Sequence, residues 1–262
     1  MSSMHGRFVW RELMTNNMAA AEKFYCDLIG WKAKDASMPD GDYTLFTAGD
    51  TEIAGMMPLT TEARDHGARP GWIGYIAVDD VDACADRIAG TGGQVHVKPR
   101  DIPSVGRFAV VADPHGAVFS LLKPVSETDQ GAPDAMLPGY PGWNELCADD
   151  LNQAFDYYSN LFGWTKADAV DMGEMGPYQL FAASDDAGGQ SLGGMMKRPE
   201  AVPAAFWQYY FIVDGIEAAA ERAKSGGGTV IAGPHEVPGG SWIIHVLDPE
   251  GSVVGLVGPL KK

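Results

Sequence analysis

Residues 8–34 read FVWRELMTNNMAAAEKFYCDLIGWKAK, and residues 141–167 read PGWNELCADDLNQAFDYYSNLFGWTKA. Trp10 matches Trp143, Glu12 matches Glu145 and Trp31 matches Trp164, all at one offset of 133 residues. The correspondence continues along the chain. Ala54-Gly55-Met56-Met57 matches Gly193-Gly194-Met195-Met196, Trp72 matches Trp207, and Asp113-Pro114-His115-Gly116 matches Asp248-Pro249-Glu250-Gly251. A series of this length in fixed order is a tandem repeat. Residues 124–140 fall between the copies, carry Ser, Gly, Pro and acidic residues without periodicity, and read as a linker.

Each copy divides again. Phe8–Leu13 reads as a strand, and Asn16-Asn17 is placed to cap a helix over Met18–Leu28. Phe24, Tyr25, Leu28 and Ile29 recur at helical spacing, and Gly30 stops the helix. The segment from Trp31, then Tyr43–Ala48 and Ile53–Met57, read as short strands between Asp/Gly turns. The order then repeats. Trp72–Val78 is a strand, Val81–Ala89 a helix stopped by Gly92-Gly93, and Val95–Val97, Arg107–Ala112 and Val118–Leu122 are strands. Pro103 marks an irregular run before Arg107, and Asp113-Pro114-x-Gly116 suits a hairpin turn, with Pro fixing φ and Gly free to take φ > 0. The expectation is an α+β chain of four βαβββ units: a first domain over residues 1–123 (units about 7–58 and 72–123), the linker 124–140, and a second domain over 141–262 (units about 141–197 and 206–258).

Composition narrows the function classes. With 45% apolar and 21% charged residues the chain is globular, and 262 residues bury ample core without staples. A formal net charge of −16 excludes nucleic acid and anionic membrane as expected partners, because no positive field offsets phosphate. Cys26, Cys84 and Cys147 lack metal-ligand spacing and read as buried small hydrophobes in a reducing compartment. The N-terminal residues carry no signal-peptide apolar segment, and no stretch approaches the roughly 20 apolar residues of a spanning helix, so the expected location is cytoplasmic.

This order of elements resembles the vicinal oxygen chelate superfamily, which includes glyoxalase I, extradiol dioxygenases and bleomycin-resistance proteins. The resemblance rests on Phe24-Tyr25, Leu28-Ile29-Gly30-Trp31, Ile76-Ala77-Val78-Asp79 and Asp113-Pro114-x-Gly116, and on Tyr157-Tyr158, Leu161-Phe162-Gly163-Trp164, Phe211-Ile212-Val213-Asp214 and Asp248-Pro249-x-Gly251. It spans nearly the whole chain outside the linker. It implies two tandem glyoxalase-like domains, each a pair of βαβββ units forming a curved, partly open mixed sheet around a cavity. Many members hold a divalent metal through His, Gln or Glu at four strand positions. Those positions align here with Trp10, Gly55, Ile73 and Ser120 in the first copy, and with Trp143, Gly194, Gln208 and Gly255 in the second. Neither set offers the donors that Fe, Ni, Zn or Mn would want. No metal or other cofactor is therefore expected, with a divalent metal as the alternative.

Residues two apart on a strand share a face, so Trp10 points with Glu12 and Trp143 with Glu145. A strand-centre Glu is disfavoured unless paired or functional. Glu12 and Glu145 are thus candidate general bases, weighed against a structural role in hydrogen bonding or pairing with an Arg. Trp10, Trp143, Tyr75, Gln208, Tyr210, Phe108, Trp242, Met56 and Met195 are candidate ligand liners, since aromatics and methionines make adaptable apolar walls. Among the histidines, His245 stands on a strand that should border a cavity. The functional expectation is a monomer or homodimer that binds a small aromatic or hydrophobic molecule without the usual metal site. The alternatives are an enzyme of the same fold (a metal-dependent lyase or dioxygenase, or a metal-free hydroxylase or isomerase using Glu12 or Glu145) and a stress-related scaffold with vestigial pockets.

Overall fold

A computed structural model describes residues 4–37, 41–126, 136–183, 191–200 and 202–261. In the first half the elements are β1 (Phe8–Thr15), α1 (Met18–Ile29), β2 (Lys32–Asp35), β3 (Thr44–Ala48), β4 (Thr51–Pro58), a short α2 (Thr61–Asp65), β5 (Gly71–Ala77), α3 (Val81–Gly90), β6 (Gln94–Ile102), β7 (Gly106–Ala112) and β8 (Val118–Pro124). The second half follows as β9 (Pro141–Ala148), α4 (Leu151–Phe162), β10 (Thr165–Asp171), a 3-10 turn at Gly173–Met175, β11 (Pro177–Ala182), β12 (Gly193–Lys197), β13 (Phe206–Ile212), α5 (Ile216–Ser225), β14 (Thr229–Glu236), β15 (Trp242–Leu247) and β16 (Val253–Gly258). The βαβββ order recurs four times. Two details depart from the sequence reading. β6 runs on to Ile102 because Arg100 and Ile102 pair with Phe108 and Gly106, so the irregular run shrinks to the turn around Pro103. The charged run after Thr60 forms α2, capped by Thr60 Oγ1 accepting from Ala63 N at 3.1 Å.

The caps explain the helix ends. Asn17 Oδ1 accepts from Ala20 N at 3.1 Å, and Gly30 takes φ +88°, which an L-residue with a Cβ rarely adopts. Asp150 and Gly163 do the same for α4. Each half builds one open, eight-stranded mixed sheet, in the order β2-β3-β4-β1-β5-β8-β7-β6 and β10-β11-β12-β9-β13-β16-β15-β14. Every strand of a sheet thus comes from the same half.

Compact packing follows a different partition. One unit comprises Met1–Val9, Gly74–Gly131 and Asn144–Trp207; the other comprises Trp10–Ile73, Ala132–Trp143 and Gln208–Lys262. Each therefore joins a βαβββ segment of one half to one of the other half. In the second unit α1 packs on α5, and the core combines Leu13, Phe24, Tyr25, Phe46 and Met56 with Phe211, Ile216, Ile244 and Leu256. In the first, Phe119, Tyr158, Phe162, Trp164, Phe181 and Trp207 form a continuous aromatic cluster, stacked along Phe162, Tyr158, Trp164 and Phe181 and edge-on at Trp207. Burying each such side chain is worth about 1.5–3 kcal/mol.

Matching hydrogen-bond chains cross these cores. Trp72 Nε1 donates to Tyr25 Oη at 3.0 Å, and Tyr25 donates to Asp248 Oδ2 at 3.0 Å. Trp207 Nε1 donates to Tyr158 Oη at 3.1 Å, and Tyr158 donates to Asp113 Oδ2 at 3.0 Å. The other carboxylate oxygen of each Asp holds its own hairpin, accepting two backbone N–H groups at 2.9 Å. The Asp of Asp-Pro-x-Gly is thus a structural anchor. The linker expected at 124–140 lies partly outside the described residues; its last part is bonded to β13 through Gly139 N and Ile212 O at 2.8 Å. Among the described residues no helix is long and apolar enough to cross a membrane.

Candidate functional site

Alternation along β1 sends Leu13 into the helix-side core, so Trp10 and Glu12 take the opposite face. Tyr43, one residue before β3, joins them. Trp10 Nε1 donates to Tyr43 Oη at 3.1 Å, and that hydroxyl donates to Glu12 Oε2 at 3.1 Å. Gly55 stands opposite Glu12 in the parallel β1–β4 ladder. A Cβ on Gly55 would collide with Tyr43 Oη and lie 3.0 Å from Trp10 Nε1, so the glycine clears the floor on which the tyrosine rests. Burial, reinforced by the Glu12 carboxylate, holds the Tyr43 phenol far above its ordinary value, and it stays a neutral donor.

The second half repeats this arrangement. Tyr178 donates to Glu145 Oε2 at 2.9 Å, Gly194 is the register partner of Glu145, and a Cβ on Gly194 would strike the Tyr178 ring. Glu12 and Glu145 are both buried, at 6% and 9% exposure, so each needs such a partner. Sequence reasoning missed the tyrosines. The signal was present: Tyr43-Thr44-Leu45-Phe46-Thr47-Ala48 matches Tyr178-Gln179-Leu180-Phe181-Ala182-Ala183 as Tyr-x-Leu-Phe-x-Ala.

The remaining candidates divide between the two faces. Trp143 packs with Tyr140 and Ile243 against Tyr210, Ile212 and Val257. Tyr210 Oη lies 2.7 Å from His245 Nε2, and buried Gln208 donates through Nε2 to Tyr209 O at 3.1 Å. In the first half Tyr75 is buried in register with Ser120. Phe108 shares that face and carries the Arg100 guanidinium 5.0 Å above its ring. Met56, Met195 and Trp242 do not join these groups. Gly55 and Gly194 take the face of the glutamates, so the next residue on each strand turns the other way. Met56 and Met195 are fully buried in register with Leu13 and Leu146. Trp242 alternates with Ile244 and Val246 and packs on the helix-side core.

The residues at the four metal positions implied by the resemblance do not fit a divalent ion. Trp10, Gly55 and Ile73 in the first set, and Trp143, Gly194 and Gly255 in the second, have no side-chain lone pair for a hard or borderline cation, which leaves each set a single oxygen donor, Ser120 or Gln208, where such an ion needs three protein ligands. Where a second ligand would project from Gly55 or Gly194, the rings of Tyr43 and Tyr178 fill the space. Among the described residues, no three His, Cys, Asp or Glu side chains converge on one point.

Two eight-stranded open sheets of paired βαβββ units, each bearing a Glu–Tyr pair away from its helices, define a tandem glyoxalase-like protein. The Glyoxalase/Bleomycin resistance protein/Dioxygenase superfamily model matches residues 7–121 and 141–256. The chain belongs to that superfamily. It is 33% identical over 252 residues to "Putative glyoxylase CFP32" of Mycobacterium bovis, covering 95% of this chain and 94% of that one. It is 32% identical over 265 residues to "Anthracycline biosynthesis protein DnrV" of Streptomyces peucetius, covering 96% and 93%. Among solved structures, the Mn(II)-bound glyoxalase from Novosphingobium aromaticivorans shares its fold at 16% identity and a TM-score of 0.63, covering 99% of this chain and 84% of that one.

Proposed function

We propose that the chain binds a small, ring-bearing hydrophobic molecule against the helix-free faces of its sheets, without the divalent ion usual in the superfamily. One observation carries this reading: at Gly55 and Gly194 a tyrosine ring occupies the space a metal ligand would need, and its hydroxyl is committed to Glu12 or Glu145. The aromatic side chains of Trp10, Trp143, Tyr75, Tyr210 and Phe108 suit flat apolar ligands. Relatives named for anthracycline biosynthesis, at 31–32% identity, support a polycyclic aromatic as the ligand class. The net charge of −16 supports a small molecule rather than nucleic acid or a membrane surface as the partner. Free Cys26, Cys84 and Cys147 support a reducing, cytoplasmic setting.

The test combines elemental analysis of protein purified without chelator with melting in the presence of polycyclic aromatics. The expected result is substoichiometric Fe, Ni, Zn and Mn, and a ligand-dependent rise in melting temperature. Ligand at 100 times its Kd adds about 2.7 kcal/mol of stability. Stoichiometric metal that disappears on Glu12→Gln or Glu145→Gln defeats the reading.

A second reading makes Glu12 or Glu145 a general base, favoured by the burial of both carboxylates and by their hydroxyl partners. It expects Glu12→Gln or Glu145→Gln to abolish turnover of a bound ligand while leaving its effect on melting intact.

A further inference from the structure

Contacts that join the two halves inside each unit come in matched pairs. In the first unit Trp164 Nε1 donates to Gly6 O at 2.8 Å, and Arg87 Nη2 donates to Asn160 O, near the end of α4, at 2.6 Å. In the second, Trp31 Nε1 donates to Gly139 O at 2.7 Å, and Arg222 Nε donates to Leu28 O, near the end of α1, at 2.9 Å. Gly139 is the counterpart of Gly6 at the offset of 133, and the Tyr158–Asp113 and Tyr25–Asp248 bonds are likewise equivalent. Contacts of this kind suit the unlike half and a second copy of the same half equally well.

The hairpin tips break the equivalence. In the second unit the tip residue Glu250 accepts through Oε2 from Thr15 Oγ1 and from Asn16 N, the latter at 3.1 Å. Arg64 Nη1 donates to Asn16 Oδ1 at 3.2 Å beside them. The first unit carries His115 at the matching tip and Ala148-Asp149 in the matching loop. His115 Nδ1 lies 3.2 Å from Asp149 Oδ2, and the histidine is the donor because an ionised carboxylate only accepts. Arg198, and after it His115, holds the Asp149 carboxyl below its usual range, and Arg198 Nε donates to Asp149 Oδ1. The acid thus sits on the tip in one unit and in the loop in the other.

We propose that these tips and loops form a pairing code, by which each half of the chain accepts the unlike half and rejects a second copy of itself. Pairing the first half with its own copy would set His115 against Thr15-Asn16. The Asn16 N–H would lose its carboxylate, and Arg64 would stand beside an imidazole. Pairing the second half with its own copy would set Glu250 against Asp149, two carboxylates on one arginine, with Ala148 in place of the threonine donor. Specificity is the difference between these mismatches and the observed pairs. The matched contacts supply adhesion, and the tips supply the choice.

The test uses the full chain, unfolded in denaturant and refolded over a range of protein concentrations, with molecular size read by light scattering. His115→Glu alone places a second carboxylate beside Asp149 and should lower the denaturant midpoint. His115→Glu combined with Ala148→Thr and Asp149→Asn gives the first unit the residues of the second, so the midpoint should return while the code is erased. The erased chain should refold partly to larger species whose share rises with concentration, as like halves of different chains join. Wild type should return to the size it had before unfolding. Adding Glu250→His, Thr15→Ala and Asn16→Asp to the erased chain exchanges the two contacts between the units, restores complementarity and should abolish the larger species. The same size distribution for erased and wild-type chains, an erased chain that does not recover its midpoint, or an exchanged chain with as much of the larger species as the erased one overturns the code.

Discussion

The hydroxyl of Tyr25 donates to Oδ2 of Asp248 at 3.0 Å, tying the first helix of the chain to its last hairpin. Tyr25→Phe keeps the ring but deprives the Asp248 carboxylate of a buried donor and Trp72 Nε1 of its acceptor. A hydrogen bond to a charged group and a neutral one together are worth about 2–4 kcal/mol. Denaturant unfolding should show that loss with an unchanged slope, and Tyr158→Phe should match it through Asp113. A loss well below 1 kcal/mol in both variants would mean that these chains do not hold together the two segments that make up each unit.

The local half of this arrangement was legible in the sequence, and the distant half was not. Asp113-Pro114-x-Gly116 reads as a turn because Pro and Gly fix its dihedrals, and Asn17 and Gly30 read as helix ends for similar local reasons. That the Asp faces a tyrosine of the other half depends on which helix lies across it, and periodicity says nothing about partners between elements. The same limit applied to the faces of β4. A period of two leaves two registers open, and only pairing with β1 sets Gly55 beside Glu12 and Met56 beside Leu13. Trp10 and Glu12, two apart on one strand, could be placed on one face directly. Tyr43, across a loop, could be found only by comparing the copies.

Gly55→Ala should reveal how much the Tyr43 pose depends on that bare position. The new methyl would displace the tyrosine hydroxyl from Glu12, and such overpacking costs about 1–3 kcal/mol. In a Tyr43→Ala background only Trp10 Nε1, 3.0 Å from the new methyl, still crowds it, and the same change should cost much less, the reduced freedom of the unfolded chain offsetting part of that cost. A double-mutant cycle measures the coupling; additive effects would mean that Tyr43 does not rest on Gly55.

Alkaline unfolding should be steep. Tyr25 and Tyr158 have phenols held well above 10, by burial and then by Asp248 and Asp113, and Tyr43 is raised by burial and then by Glu12. Below pH 10 both folded and unfolded chains keep these protons. Above it only the unfolded chain releases them, so stability falls as pH rises. Tyrosinate absorbance should rise together with the loss of near-ultraviolet circular dichroism. Gradual ionisation of all the tyrosines in a chain that keeps its aromatic dichroism would contradict the burial of these hydroxyls.

His245 should contribute on the acid side with the opposite sense. Its folded pKa lies below the value of 6.5 expected for the unfolded chain, through burial and then His235 on β14, while Tyr210 on β13 faces its Nε2. Above about pH 6.5 the imidazole is neutral in both states and adds no pH dependence. As pH falls through that value the unfolded chain binds the proton first, so stability declines until the folded pKa is reached and then levels. His245→Gln retains an acceptor but does not titrate, so its stability between pH 7 and pH 5 should fall less than that of wild type. His235→Gln should leave most of the slope in place, because burial is the larger cause. Equal slopes for wild type and His245→Gln would show that this histidine is not held neutral by its site.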